Sequence, residues 1–525
     1  MVFAAPAHLL GLALLALAQS TIARDGAQRC AKLARTHIKN AHSIRTLYLR
    51  ANETYRVPAS CGTGLGDDLR AQASVDTCIV DVVYNTSSSS ATRIETWLPD
   101  PDAWSGRVLG TGGGGFNGCV DYVDLAYGTS LGFASFGHDG GHDGASGAPF
   151  ARSDEILIDW VHRSLHVATV TSKLLVKAYY GRRHKKSYYT GCSTGGRQGF
   201  RSVQDYPEDF DGVLAGAPAV GEVHLLSAGG IYSTAARVLD AQAWKLINAE
   251  ILKQCDGLDG LRDGVIDDPD ACAFMPETLL CVDEKGPDCL SVEQVDAIRT
   301  IHSPVYGSDG KQLTARLDPG AEGDDLFFPL LFGQPFLQFG LEWWRYVVYN
   351  DSTWQPGPDF GFKEIEDAER REKDVPVSGW NPNINAFRKR GGKLLTYHGN
   401  RDILIPHGNS LLYYQLVSRT LALPPSKLDE FYRLFLVPGM NHCYLGPGAW
   451  AFGQIGFANW SNSSDSNALL ALVDWVEKGK APETLRGLAI GATNTTIPTT
   501  RVHCKYPARS VWKPESNDWI CVDNP

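Results

Sequence analysis

The sequence predicts an α/β fold: a mostly parallel sheet with helices on its faces, interrupted near the middle by a large insertion. Three observations lead there. Apolar strand-like runs alternate with helical ones as far as Pro218, a glycine-rich turn sets a serine between a strand and a helix, and the strand pattern lapses after residue 222 and resumes at Lys393. Alternation of strands and helices is the signature of parallel strands joined by crossover helices. At 525 residues the chain exceeds one simple core, so a second layer of organisation is expected.

The elements follow in order. Residues 8–18, His-Leu-Leu-Gly-Leu-Ala-Leu-Leu-Ala-Leu-Ala, form a short apolar core ending in a small-residue site. This reads as a secretory signal peptide over residues 1–18, with Ala23 as the alternative cleavage point. No later run reaches the ~18 apolar residues that span a bilayer, so a soluble, secreted protein is expected. Strand-like runs follow at Arg93–Leu98, Arg107–Gly110 and Leu131–Phe136, then a helical run to Tyr180, a strand at Ser187–Thr190 and another ending at Pro218. Residues 19–222 and 389–525 are read as one catalytic domain. Residues 223–388, rich in acidic loops and tryptophan and holding four cysteines, are read as a lid domain inserted into it.

Composition excludes some function classes. The net charge is −10 and no long basic tract occurs, which argues against nucleic acid as a partner. All 12 cysteines lie beyond the signal segment, an even number that implies disulfides in an exported chain. Proximity and chemistry suggest Cys192–Cys443, Cys255–Cys272, Cys281–Cys289 and Cys504–Cys521, and the four left near the N-terminus are paired as Cys30–Cys78 and Cys61–Cys119. Six glycosylation sequons, at Asn52, Asn85, Asn350, Asn459, Asn462 and Asn494, fit an exported surface.

Gly191-Cys192-Ser193-Thr194-Gly195 carries the chemistry. A serine on a sharp strand-to-helix turn stands above the sheet, and glycines on either side admit the close approach of strand and helix. Asn441-His442-Cys443 lies far downstream. A disulfide between Cys192 and Cys443 would hold their Cα atoms within about 7 Å, bringing Ser193 and His442 together as nucleophile and base. Asp402, just past the apolar strand at Lys393–Gly399, completes a triad by accepting the Nδ1 proton of His442. The chain order Ser193, Asp402, His442 is that of the α/β-hydrolase fold. Ser193 and Asp402 are 209 positions apart, room for an inserted lid.

Gly112–Gly115 follows a strand, and no Gly-Lys-Ser/Thr completes a phosphate loop. With Thr194, backbone N–H groups of Gly114 and Gly115 are read as an oxyanion hole. Inside the insertion, Asp256, Asp259 and Asp263 stand among glycines between Cys255 and Cys272, a pattern able to wrap Ca²⁺ without the EF-hand spacing. His138 and His142 in a glycine-rich loop are read as the rim of the site rather than a metal centre. Trp343, Trp344 and Tyr346 suit either stacking on an aromatic acyl group or the core of the lid.

These motifs together resemble the fungal tannase and feruloyl esterase family over nearly all of the mature sequence. The resemblance rests on Cys192-Ser193, Asp402, His442-Cys443, Gly112–Gly115 and the Asp256/Asp259/Asp263 loop. It implies a secreted serine esterase with a lid domain. It also implies structural calcium held by the Asp256, Asp259 and Asp263 side chains with the Leu261 and Val265 carbonyls, and no organic cofactor. The expected substrates are feruloyl or other hydroxycinnamoyl esters of plant cell-wall polysaccharides, cleaved through an acyl-enzyme. Galloyl esters of tannins are the alternative, and a silent calcium- or carbohydrate-binding protein is a third reading that the intact triad disfavours.

Overall fold

The computed structural model describes residues 25–523 apart from 62–69, 283–285, 325, 491–498 and 517. The expected leader over 1–18, its alternative end at Ala23 and the sequon at Asn494 lie outside the described residues.

Nine strands form one sheet: β1 (Ala41–Leu49), β2 (Thr77–Asn85), β3 (Ala91–Pro99), β4 (Arg107–Thr111), β5 (Phe133–His138), β6 (Lys186–Cys192), β7 (Gly212–Gly216), β8 (Lys393–Gly399) and β9 (Tyr432–Val437). Their order is β1-β2-β3-β5-β4-β6-β7-β8-β9. The first three strands and the β3–β5 pair are antiparallel. From β5 to β9 every pairing is parallel. The strands of this parallel part are covered on both faces and so read as near-continuous apolar runs. β5 and β7 have no exposed residue at all. The close fit fixes side-chain size locally: a Cβ on Gly216 would sit 2.1 Å from the Tyr397 ring of neighbouring β8.

Helices α1 (Ser164–Tyr180), α2 (Thr194–Asp205) and α5 (Gly408–Leu421) contribute Ala168, Leu175, Phe200, Tyr413 and Val417 to the core on one face. Helix α6 (Ala468–Lys478) contributes Leu469, Leu472 and Trp475 on the other. This is an α/β-hydrolase fold.

Between β7 and β8 the chain adds no strand to this sheet among the described residues. It builds helices, including α3 (Glu222–Ala235) and α4 (Ala241–Cys255), around Ile247, Ile251, Ile298, Ile301, Trp343 and Trp344. Of the two uses open to Trp343 and Trp344, the structure has them as core, with neither exposed.

Candidate active site

β6 ends at Cys192 and α2 begins at Thr194, so Ser193 occupies the turn alone, with φ 62° and ψ −123°. A serine rarely takes this left-handed conformation, and such strain persists where surrounding structure enforces it. Here the Ser193 N–H donates to the Gly216 carbonyl (3.0 Å), and the Ser193 carbonyl accepts from the N–H groups of Arg197 and Ala219. The glycines are required by contact: a Cβ on Gly196 would meet the Gly216 carbonyl oxygen at 2.4 Å.

Cys192 and Cys443 are bonded, with Cα atoms 6.0 Å apart. The bond joins the residue before Ser193 to the residue after His442. The other five disulfides are Cys30–Cys78, Cys61–Cys119, Cys255–Cys272, Cys281–Cys289 and Cys504–Cys521. All twelve cysteines are therefore paired as the sequence suggests.

His442 Nδ1 lies 2.7 Å from Asp402 Oδ2. Asp402 is wholly buried and its other oxygen accepts the N–H groups of Leu404 (2.9 Å) and Ile405 (2.8 Å). A second histidine, His398 at the end of β8, brings Nε2 to 3.3 Å from the same Oδ2, while its Nδ1 meets Ser410 Oγ at 2.7 Å. Burial alone would raise the Asp402 carboxyl. The charges and hydrogen bonds of His442 and His398 outweigh it and hold the group well below the ordinary carboxylate range. His398 escapes a motif search because it belongs to an apolar strand. The signal that could find it is its position four residues before Asp402, across the strand end.

One wall is aromatic. The Phe327 ring stands edge-on to His442 with centroids 5.3 Å apart, and also edge-on to Tyr444 at 5.8 Å. Phe327 sits on a turn whose N–H groups are taken by Asp324 Oδ1. None of this wall is signalled by a motif.

In the glycine loop, the Gly112 N–H donates to Thr190 and the Gly113 N–H to Gln198 Oε1. Among the described residues the N–H groups of Gly114 and Gly115 have no protein acceptor. No atom lies within 4 Å of a Cβ built on Gly114, which opens onto free space. His138 and His142 are buried nearby, where Gly118 donates to the Gly144 carbonyl, and burial pushes His138 down to about 4.

In the acidic loop, Asp256 Oδ1 accepts from Asp263 and Gly264, Asp259 Oδ1 from Leu261, and Asp263 Oδ1 from Val265. Asp259 Oδ2 is buried without a partner. Burial and the adjacent Asp267 carboxylate push Asp259 up to about 7. Among the described residues the three ligand atoms that gather within 4.8 Å, close enough to share a cation, belong instead to Asp270, Asp318 and His407. There His407 Nδ1 meets Asp318 Oδ2 at 2.6 Å, and the pair joins the insertion to the start of α5.

Residues 78–321 and 362–523 match the family model described as tannase and feruloyl esterase. The chain belongs to the tannase and feruloyl esterase family. It is 44% identical over 483 residues to a probable feruloyl esterase B-1 of Aspergillus flavus, covering 89% of each chain. It is 41% identical to a probable feruloyl esterase B-2 of Aspergillus terreus, covering 99% of this chain and 100% of that one. Among solved structures, feruloyl esterase B from Aspergillus oryzae superposes with a TM-score of 0.86 at 38% identity, over 94% of this chain and 99% of that one. Tannin acyl hydrolase from Aspergillus niger superposes at 0.75 with 22% identity over 94% of both chains, a likeness of fold.

Proposed function

We propose that this chain is a secreted serine carboxylesterase that cleaves feruloyl and related hydroxycinnamoyl esters of plant cell-wall polysaccharides. The observation that carries the chemistry is the Cys192–Cys443 bond beside the His442–Asp402 hydrogen bond, which joins an elbow serine to an oriented base. The acyl class is supported by the names of the relatives at 38–44% identity. The tannin acyl hydrolase stands at 22%, so galloyl esters are the second choice.

The reaction is a double displacement. With Nδ1 engaged by Asp402, His442 has Nε2 free to take the proton of Ser193 Oγ as that oxygen attacks the ester carbonyl. The carbonyl oxygen becomes negative and is held by N–H groups of Thr194, Gly114 and Gly115, each donor contributing about 3 kcal/mol in the transition state. The C–O bond then breaks, and His442 returns its proton to the departing sugar alcohol. Water repeats the sequence on the acyl-enzyme, releasing the aromatic acid and restoring Ser193.

The insertion acts as a lid: Phe327 from it faces His442. Its acidic loop suits Ca²⁺, with the Asp256, Asp259 and Asp263 carboxylates and the Leu261 and Val265 carbonyls as ligands. Support comes from the orphaned Asp259 oxygen and from Asp259 and Asp263, whose carboxyls are both raised. When bound, the ion supplies positive charge that lets these acids ionise together and fixes the loop. The six disulfides are consistent with an oxidising compartment. Asn52, Asn85, Asn350 and Asn462 are exposed and suit glycans, whereas Asn459 Oδ1 is engaged by Asn467. Initial rates on methyl ferulate, p-coumarate, caffeate and gallate test the acyl class. The hydroxycinnamates should be turned over faster, and a preference for gallate would move the chain to the alternative.

A further inference from the structure

A loop of four glycines has no side chain with which to hold its own shape, yet an oxyanion hole requires fixed donors. Misplacement near 1 Å can cost ~100-fold in rate. The constraint at Gly112–Gly115 comes from outside the loop. Gln198 Oε1 accepts the Gly113 N–H at 3.4 Å, and Trp160 Nε1–H donates to the Gly115 carbonyl at 3.2 Å. These two clamps are joined, because Gln198 Nε2–H donates to the Trp160 carbonyl at 3.1 Å. The bracketed stretch leaves the Gly114 and Gly115 N–H groups without acceptors among the described residues.

Both clamps are built, not incidental. Gln198 lies one helical turn beyond Thr194 on α2, so the helix whose first N–H faces the oxyanion also carries the acceptor that holds the opposing loop. Trp160 lies in a single π-helical turn, Asp159–Arg163, within an otherwise α-helical run ending in α1. Such turns are costly and recur at functional sites. The Trp160 ring is 1% exposed and cannot swing away. Phe116 meets it edge-on at 5.4 Å, and the buried Arg197 guanidinium covers one face at 4.2 Å. Arg197 is itself tied to the Val161 and Val377 carbonyls.

We infer that Gln198 and Trp160 are positioning residues for the oxyanion hole, fixing the Gly113 N–H and the Gly115 carbonyl so that the intervening donors face the carbonyl held by Ser193. This rests on the proposed role of Ser193. The prediction separates transition-state from ground-state binding, because both clamps are buried behind the loop and act through its backbone.

The test uses Trp160→Phe, which keeps the ring and removes its N–H, and Gln198→Met, which removes both amide contacts at similar volume. Each should lower kcat on methyl ferulate by roughly 10- to 100-fold, somewhat less than the loss of an oxyanion donor itself, with KM changed less than about threefold. Affinity for a trifluoromethyl ketone analogue of the ester, which forms a tetrahedral adduct, should fall in proportion to kcat/KM. Affinity for ferulic acid should hold. If Trp160→Phe fails to fold, Gln198→Met carries the test alone. Wild-type kcat in folded variants, or lost kcat with unchanged ketone affinity, overturns the inference. Ser193→Ala is the control: if it retains turnover the nucleophile reading fails, whereas an inactive Ser193→Ala beside fully active clamp variants defeats only the clamp.

Discussion

Asp402 accepts three hydrogen bonds and lies 3.3 Å from a fourth group, His398 Nε2, which also meets the Ile405 carbonyl at 2.9 Å, and that crowding sets its charge. Two backbone N–H groups take one oxygen and two imidazoles face the other. Its carboxyl is depressed relative to the unfolded chain, so its contribution to stability is present above the unfolded value near 3.9 and is lost as pH falls below it. Asp402→Asn should therefore be less stable than wild type at about pH 5, and the margin should shrink as pH falls below about 4. Thermal melts of both proteins across that range check this. The same substitution should cut kcat about 10³- to 10⁴-fold by releasing the His442 tautomer. Ser193, Asp402 and His442 were legible in the sequence because the two cysteines mark them and their order is diagnostic. Gln198 and Trp160 were not, since each acts through contacts across tens of residues that no local pattern records, and His398, four residues from Asp402, is hidden by the apolar strand that carries it.

The elements that carry the site are short and tied to one another rather than stable alone. The Cys192–Cys443 bond spans 251 residues, a loop whose closure is worth about 5 kcal/mol on chain-entropy grounds. Locally it keeps the β6–α2 turn in register with the loop after β9, and so, on the proposed mechanism, Ser193 with His442. The Cys192→Ser/Cys443→Ser pair should fold with intact secondary structure by circular dichroism. It should lose at least ~100-fold in kcat. Retention of wild-type kcat would show that the bond does not register the triad. The β4 to β8 alternation was readable because buried parallel strands are apolar throughout. The edge was harder: β1 exposes His42, Arg45 and Leu47, its alternation is broken at Ser43 and Ile44 beside a register shift, and it pairs antiparallel with β2 outside any strand–helix–strand unit.

For the whole molecule, the question is how the inserted segment and the sheet hold one another. Asn400, two residues before Asp402, donates to the Asp267 carbonyl at 2.7 Å, and Asp267 pairs with Arg501 near the C-terminus. The acidic stretch is thus tied to the loop that carries Asp402. Chelation should lower the melting temperature, with a smaller effect on initial rates measured well below it, and metal analysis should find about one Ca²⁺ per chain. An unmoved melting curve and no bound Ca²⁺ would make the loop a solvated turn. The insertion was legible as a break in the strand pattern; its aromatic wall at Phe327 was not, because nothing in a sequence says which loop aromatic meets a histidine over a hundred positions away. The central claim, that Ser193 is the nucleophile of an esterase acting on hydroxycinnamoyl esters, is tested most directly by the steady-state rate of methyl ferulate hydrolysis by wild type and by Ser193→Ala of equal circular dichroism. The account predicts release of ferulic acid by the wild type and a rate at least ~10³-fold lower for the variant; comparable rates, or no hydrolysis by either, would contradict it.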